Sequence, residues 1–267
     1  MRKLIITLIV IIGLLVGADF ALAAAADYKV GKLLRSKLAV TETPKVTVHG
    51  FPFITQALAG DYRDTSVRAA GISVGDSLTD LQVAAELHDT RVPFSDLVSG
   101  SVRTVTVDRL TGKVRITAGD IARLASNSSL GELLHPSNVT VGEASSKQVL
   151  GTSTPPLAWR QGKETGLSLA GTLDIAGEQT RITGYALVGF SGSTITISTK
   201  KITVNNSEIS AALPAAIQHQ LSKLFTFTID STSLPLPFKV RATSVAVQSG
   251  ALVVAGSASN IVVHFGG

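Results

Sequence analysis

The residues with the clearest potential for chemistry are Gly71-Ile72-Ser73-Val74-Gly75, which match the G-x-S-x-G spacing of a nucleophile elbow. That motif works only where a strand runs into a helix, because the strained turn between them exposes the serine. Here Ser77 to His88 alternates with strand period, so a glycine-rich hairpin turn is the simpler reading. His88-Asp89 would serve Ser73 as a base only if the fold brought them together. The five histidines, His49, His88, His135, His219 and His264, show none of the close spacings of a metal site. Each reads as a hydrogen-bonding surface or edge residue. No phosphate-cradling G-x-x-x-x-G-K and no calcium-type carboxylate loop occurs, and nothing marks a pair of catalytic acids. Zero cysteines exclude disulfides, a thiol nucleophile and thiolate metal ligation. The expectation is therefore no enzyme, no metal and no cofactor, with a Ser73 esterase or lipase as the remote alternative.

The elements that would have to position any site begin at a membrane. Arg2 and Lys3 precede a run from Leu4 to Val16 broken only by Thr7 and Gly13, a basic n-region followed by an apolar h-region. Ala23 to Ala26 offer small residues for a signal peptidase. The run is shorter than the roughly 20 residues of a spanning helix, and Asp19 interrupts it. Residues 1–26 are accordingly a signal peptide or a retained anchor, and either puts residues 27–267, read as one β-rich domain, outside the cytoplasm. Without Arg2, Lys3 and Asp19 the 24 basic and 19 acidic residues become 22 and 18, a net +4. So modest and dispersed a charge suits an anionic surface rather than nucleic acid.

Residues 27–38 have helical spacing, with Val30, Leu33, Leu34 and Leu38 on one side and Lys29, Lys32, Arg35 and Lys37 providing positive charge. A basic amphipathic helix beside a membrane segment suits anionic headgroups, although a solvated surface helix would look the same. From residue 44 onward, period two dominates. Leu81, Val83, Ala85 and Leu87 alternate with polar or small neighbours, as do Val114 and Ile116, Leu167 and Leu169, Ile195 and Ile197, and Phe225, Phe227 and Ile229. Such one-sided strands indicate antiparallel sheets. Helices are expected at 118–125 and 207–222, and Gly151 to Ala158, with two prolines, marks a possible lobe boundary. Pro52-Phe53, Pro93-Phe94 and Pro237-Phe238 each stand beside a strand, and the first two continue into short apolar turns ending in glycine. Long one-sided apolar strands with no catalytic constellation suit the binding of an apolar ligand.

Residues 46–61 (VTVHGFPFITQALAGD) resemble the signature of the LmeA-like family of actinobacterial cell-envelope phospholipid-binding proteins. Gly50, Phe51, Pro52, Phe53, Ile54 and Gly60 occupy the motif's places, and looser likeness covers most of residues 1–125, the second half being similar only in its β-rich character. The resemblance implies a soluble α+β domain, mostly antiparallel β, at the outer face of the plasma membrane. It also implies a curved sheet wrapped around a helix, as in tubular lipid-binding proteins, with helix 207–222 as the wrapped element. On this basis acyl chains are expected against Phe51, Pro52, Phe53, Ile54 and Leu58, with Phe94 and Leu97 as a second patch. Arg63, Arg68 and Arg91 are candidates for the headgroup phosphate, and Lys29, Lys32, Arg35 and Lys37 for the membrane surface. The expected partners are an anionic phospholipid and the membrane, or alternatively an envelope biosynthetic enzyme that the domain stabilises as a scaffold.

Overall fold

Helix α1 (Arg2–Leu38) is continuous, so the apolar segment and the basic helix are one element. The computed structural model describes residues 2–38, 40, 42–74, 78–126, 137–175, 178–192, 194–205, 207–208, 227–230 and 240–264. From Ile6 to Leu15 the described side chains of α1 are exposed. Beyond that point Asp19, Ala26 and Gly31 are buried, with Ala23, Asp27, Val30, Leu33 and Leu34 half-buried. These positions recur every three to four residues and form one face of the helix. The helix thus has a bare half and a packed half.

The strands are β1 (Lys45–His49), β2 (Asp61–Val74), β3 (Leu78–Arg91), β4 (Thr104–Thr117), β5 (Ser137–Glu143) and β6 (Glu164–Ile175). They continue with β7 (Glu178–Ser191), β8 (Thr194–Val204), β9 (Ser207–Glu208), β10 (Phe227–Asp230), β11 (Arg241–Gln248) and β12 (Ala251–His264). One sheet has the order β1-β2-β3-β4-β12-β11, and the other the order β10-β8-β7-β6-β5 with β9 on β8. The described registers, from β1 on β2 to β8 on β9, are antiparallel. The chain is α+β, and its antiparallel sheets are those that the period-two patterning predicts. Leu81 is buried and Val83, Ala85 and Leu87 half-buried, between exposed Gln82, Ala84 and Glu86.

The chain forms two compact units, residues 1–70, 83–112 and 258–267, and residues 71–82 and 113–257. Strands β2, β3, β4 and β12 contribute one end to each. The core of the second unit is aliphatic, with Leu167, Val188, Ile197 and Leu252 almost wholly buried. Helix α4 (Ala118–Ser126) carries the fully buried Asp120. Its carboxylate accepts from the Thr79 and Asp80 N–H groups, each at 3.0 Å, from the Thr117 hydroxyl at 2.9 Å and from Arg123 at 2.5 Å. Burial alone would push this carboxyl up. Hydrogen bonds from Asp80, Arg123, Thr117 and Thr79 outweigh that and hold it below its ordinary 3.8.

Gly151 to Ala158 falls inside the second unit, running from the end of α5 (Ser146–Leu150) into the first two residues of α6 (Leu157–Arg160). Most of the expected helix 207–222 lies outside the described residues, as does Pro237-Phe238. Its first two residues are not helical: Ser207 and Glu208 form β9, opposite Val204 and Thr203.

Candidate functional site

The two Pro-Phe segments that read as apolar turns are a matched pair of short helices. Helix α2 (Phe53–Ala59) joins β1 to β2, and α3 (Phe94–Ser99) joins β3 to β4. Pro52 and Pro93 are their N-caps, and Gly60 (φ 64°) and Gly100 (φ 76°) end them in the left-handed conformation that glycine adopts without strain. Gly60 is constrained a second way. A Cβ there would stand 3.1 Å from the Val92 carbonyl oxygen, whose residue donates its N–H to Gly60 O at 2.9 Å.

A proline N-cap has no side-chain oxygen to offer the first turn of its helix, and α2 obtains one from elsewhere. Asp19 of α1 accepts the Phe53 N–H on Oδ2 and the Ile54 N–H on Oδ1, both at 2.8 Å. Asp27, two turns along the same helix, accepts the Val48 N–H of edge strand β1 at 3.0 Å. Buried Gln56 completes the frame, donating to His49 O at 3.2 Å and accepting the Arg63 N–H at 3.1 Å. The signature VTVHGFPFITQALAGD is therefore a structural device in which β1, a Gly50 turn (φ 102°), α2 and the start of β2 are bound to each other and to α1.

Against this frame lies an open groove of about 610 Å³, lined by Ala57, Leu58, Ala59, Gly60 and Asp61 from one side and Arg91, Val92, Pro93, Phe94 and Ser95 from the other. Its volume is within the roughly 300–1,000 Å³ typical of small-molecule sites. Of the residues expected to meet lipid, Leu58, Phe94 and Arg91 line this groove. Leu58 is 84% exposed. Phe51, Pro52 and Ile54 are exposed at the start of α2, and the Phe51 ring stacks on Phe20 of α1 at 6.1 Å. Phe53 is the opposite case, being 2% exposed and packed with Ala26, Ala57, Tyr62, Val92 and Val102. Phe94 and Leu97 are half-buried against that cluster. Burial pushes the Tyr62 phenol up to about 12, and its hydroxyl has no partner among the described residues.

The basic candidates divide similarly. Arg91 makes a bidentate pair with Asp108 at 2.9 and 3.2 Å, which engages two of its five N–H donors. Arg63 and Arg68 are exposed on β2 and have no ion-pair partner among the described residues. Lys29, Lys32 and Arg35 are exposed on α1, Lys32 lying 4.9 Å over the Tyr28 ring. The Lys37 side chain lies outside the described residues. Reading by sequence missed the backbone-lined half of the groove and the role of Asp19. A lone carboxylate in an apolar helix was the available signal.

The chemistry of Ser73 is equally plain. It is an exposed residue of strand β2, and only residues 75–77 separate that strand from β3, so no strand-to-helix elbow forms around it. His88 is engaged by Asp64 at 2.5 Å, His49 by Ser66 at 3.0 Å and His264 by Thr104 at 3.2 Å. His135 and His219 lie outside the described residues. Among the described residues no group of three His, Asp or Glu side chains is placed to hold a metal ion.

The pattern of the LmeA-like phospholipid-binding family fits residues 17–257, most of the chain, beginning two residues before Asp19. No curated protein and no solved structure matches the chain.

Proposed function

The chain belongs to the LmeA-like phospholipid-binding family, and on that premise we propose that it is a non-catalytic protein that holds phospholipid at the outer face of the plasma membrane, in lipid or lipoglycan handling. The observation that carries this reading is the groove between α2 and the β3–α3 turn. Its exposed Leu58 offers apolar surface for an acyl chain. Arg91, with three donors beyond those given to Asp108, offers a phosphate contact at the same opening. An anionic headgroup fits best, because exposed Arg63, Arg68, Lys29, Lys32 and Arg35 add positive charge in the same unit, Arg63 and Arg68 without an ion-pair partner among the described residues.

Native mass spectrometry of the full chain, released from detergent micelles, tests the reading. One class of phospholipid should co-purify, and Leu58→Ser should lower its occupancy without lowering stability. Arg91→Ala should shift the retained lipid toward uncharged headgroups. A chain that carries no lipid, and that crosslinks in cells to one dominant protein even after delipidation, would overturn lipid holding in favour of an envelope scaffold.

A further inference from the structure

Helix α1 is long and apolar enough to cross a membrane, and its apolar stretch is almost entirely unburied. A cleaved signal peptide would share those properties, and the difference lies in what the domain uses. Cleavage in Ala23 to Ala26 removes Asp19, the acceptor for two N–H groups of α2, together with Ala23, which packs on the Phe53 cluster. An export signal has no reason to cap a helix of the mature protein with its own carboxylate. The family pattern also starts at residue 17, inside this segment.

The length of the bare half fixes where the domain would sit. Asp19 lies sixteen positions beyond Lys3, about 24 Å of helix at 1.5 Å per residue, against a hydrocarbon core of about 30 Å. With Arg2 and Lys3 at the cytoplasmic headgroups, Asp19 comes about 6 Å short of the outer boundary. Whatever is fastened to Asp19 is therefore drawn into the acyl region of the outer leaflet. What is fastened there is apolar: the stacked pair Phe20 and Phe51, each about 60% exposed, and Ile54, with Leu58 one turn further along α2. The carboxylate itself is shielded from lipid, being 6% exposed and doubly hydrogen-bonded. The cations come later on the same helix, at Lys29, Lys32 and Arg35, where outer headgroups and water would meet them.

We infer that α1 is a retained transmembrane anchor and that Asp19 fastens α2 to it, so that Phe20, Phe51 and Ile54 form a lip embedded in the outer leaflet. The occupant of this apolar surface is bilayer lipid, continuous with the lipid around Ile6 to Leu15. This goes beyond the groove reading and does not depend on what the groove carries.

The chain has no cysteine, so single-cysteine reporters need no background removal. The full chain is isolated from membranes and its intact mass measured, with the segment 4–18 expected to be present. Nitroxide labels at Ile54→Cys and Lys32→Cys are then compared in vesicles of phosphatidylcholine and phosphatidylglycerol. The label at 54 should be several-fold more accessible to oxygen than to a water-soluble nickel chelate, and the label at 32 should show the reverse. Asp19→Ala should reduce the oxygen preference at 54 while leaving the chain membrane-bound, and Asp19→Glu should restore part of it. A mature chain starting after Ala23 to Ala26, or a label at 54 as wet as that at 32, overturns the inference. Lipid still co-purifying with such a chain would leave the groove reading intact.

Discussion

Replacing Asp19 by alanine tests whether α1 is part of the fold. The carboxylate accepts two backbone N–H groups at 2.8 Å, one of them the buried Phe53 N–H. A buried donor left without a partner costs about 1–3 kcal/mol, and an N-cap removed from an ordinary helix costs about 1 kcal/mol. The Phe53 N–H should suffer the full penalty, since no water reaches it. The Ile54 N–H is only partly buried and recovers some hydration. Together these give a loss of about 2–4 kcal/mol. Asp19→Asn keeps one acceptor oxygen and should lose roughly half as much. Hydrogen exchange read by mass spectrometry on the peptide spanning α2 is the direct assay, because protection of Phe53 and Ile54 should fall before that of β6 or β7. Thermal unfolding by circular dichroism should drop in parallel, by roughly 6–12 °C for a loss of about 3 kcal/mol in a domain of this size. Unchanged exchange at α2, or a change in stability under about 0.5 kcal/mol, would refute the claim that the helix is built into the domain.

Gly60→Ala should cost about 1–3 kcal/mol, from a positive φ and a Cβ set 3.1 Å from Val92 O, and should reduce lipid occupancy by narrowing the groove. Calorimetry and native mass spectrometry read the two effects. The Asp120 carboxyl is held below its ordinary 3.8, so its stabilisation is complete above that value and is lost as pH falls through the lower folded value. Acid titration of wild type against Asp120→Asn should therefore show the two stabilities converging only below about pH 4. The Tyr62 phenol, raised from 10.0 to about 12, works in the opposite direction: stability is complete below pH 10 and declines as pH rises toward 12. Tyr62→Phe, which removes a buried hydroxyl lacking a partner among the described residues, should be neutral or stabilising by up to about 1 kcal/mol and should flatten that alkaline decline.

Period-two patterning located β3, β4 and β8 because each has one face against a core and one more open to solvent, an asymmetry written locally, and it located β6 although its described residues are buried or half-buried on both faces. The helix at 118–125 was legible for the same reason, and the structure extends it by one residue. The α2 and α3 helices were visible as Pro-Phe segments ending in glycine, but not as helices. Six or seven residues span too few turns to display a helical period. The groove was half legible. Leu58, Phe94 and Arg91 stand out by type, whereas Ala57, Ala59, Gly60 and Val92 contribute through backbone proximity that no residue type announces. Phe53 shows the limit of reading by type, since an aromatic beside exposed aromatics proved to be the centre of a core cluster. Asp19 and Phe53 are 34 residues apart, and no local pattern reveals a bond of that span.

Two aspartates in this chain solve one problem in the same way. Asp120 gathers the Thr79 and Asp80 N–H groups at the start of β3, and Asp19 gathers the Phe53 and Ile54 N–H groups at the start of α2. In each case the acceptor lies on a helix distant in sequence, and the donors begin an element that lacks a cap of its own. The two differ in their surroundings before the partner arrives. Asp120 can wait in water, whereas in the anchored state inferred above an unpaired Asp19 would face the edge of the acyl region, at a cost below the roughly 2.5–3.5 kcal/mol of an aspartate at the membrane centre. That penalty is relieved only when α2 docks, so formation of the α2 frame and stable seating of α1 are coupled. Any substitution that destabilises α2, such as Gly60→Ala at its C-cap, should therefore also loosen α1. Faster hydrogen exchange around Asp19 in Gly60→Ala would reveal this coupling, and an unchanged rate there would show that the helix seats independently.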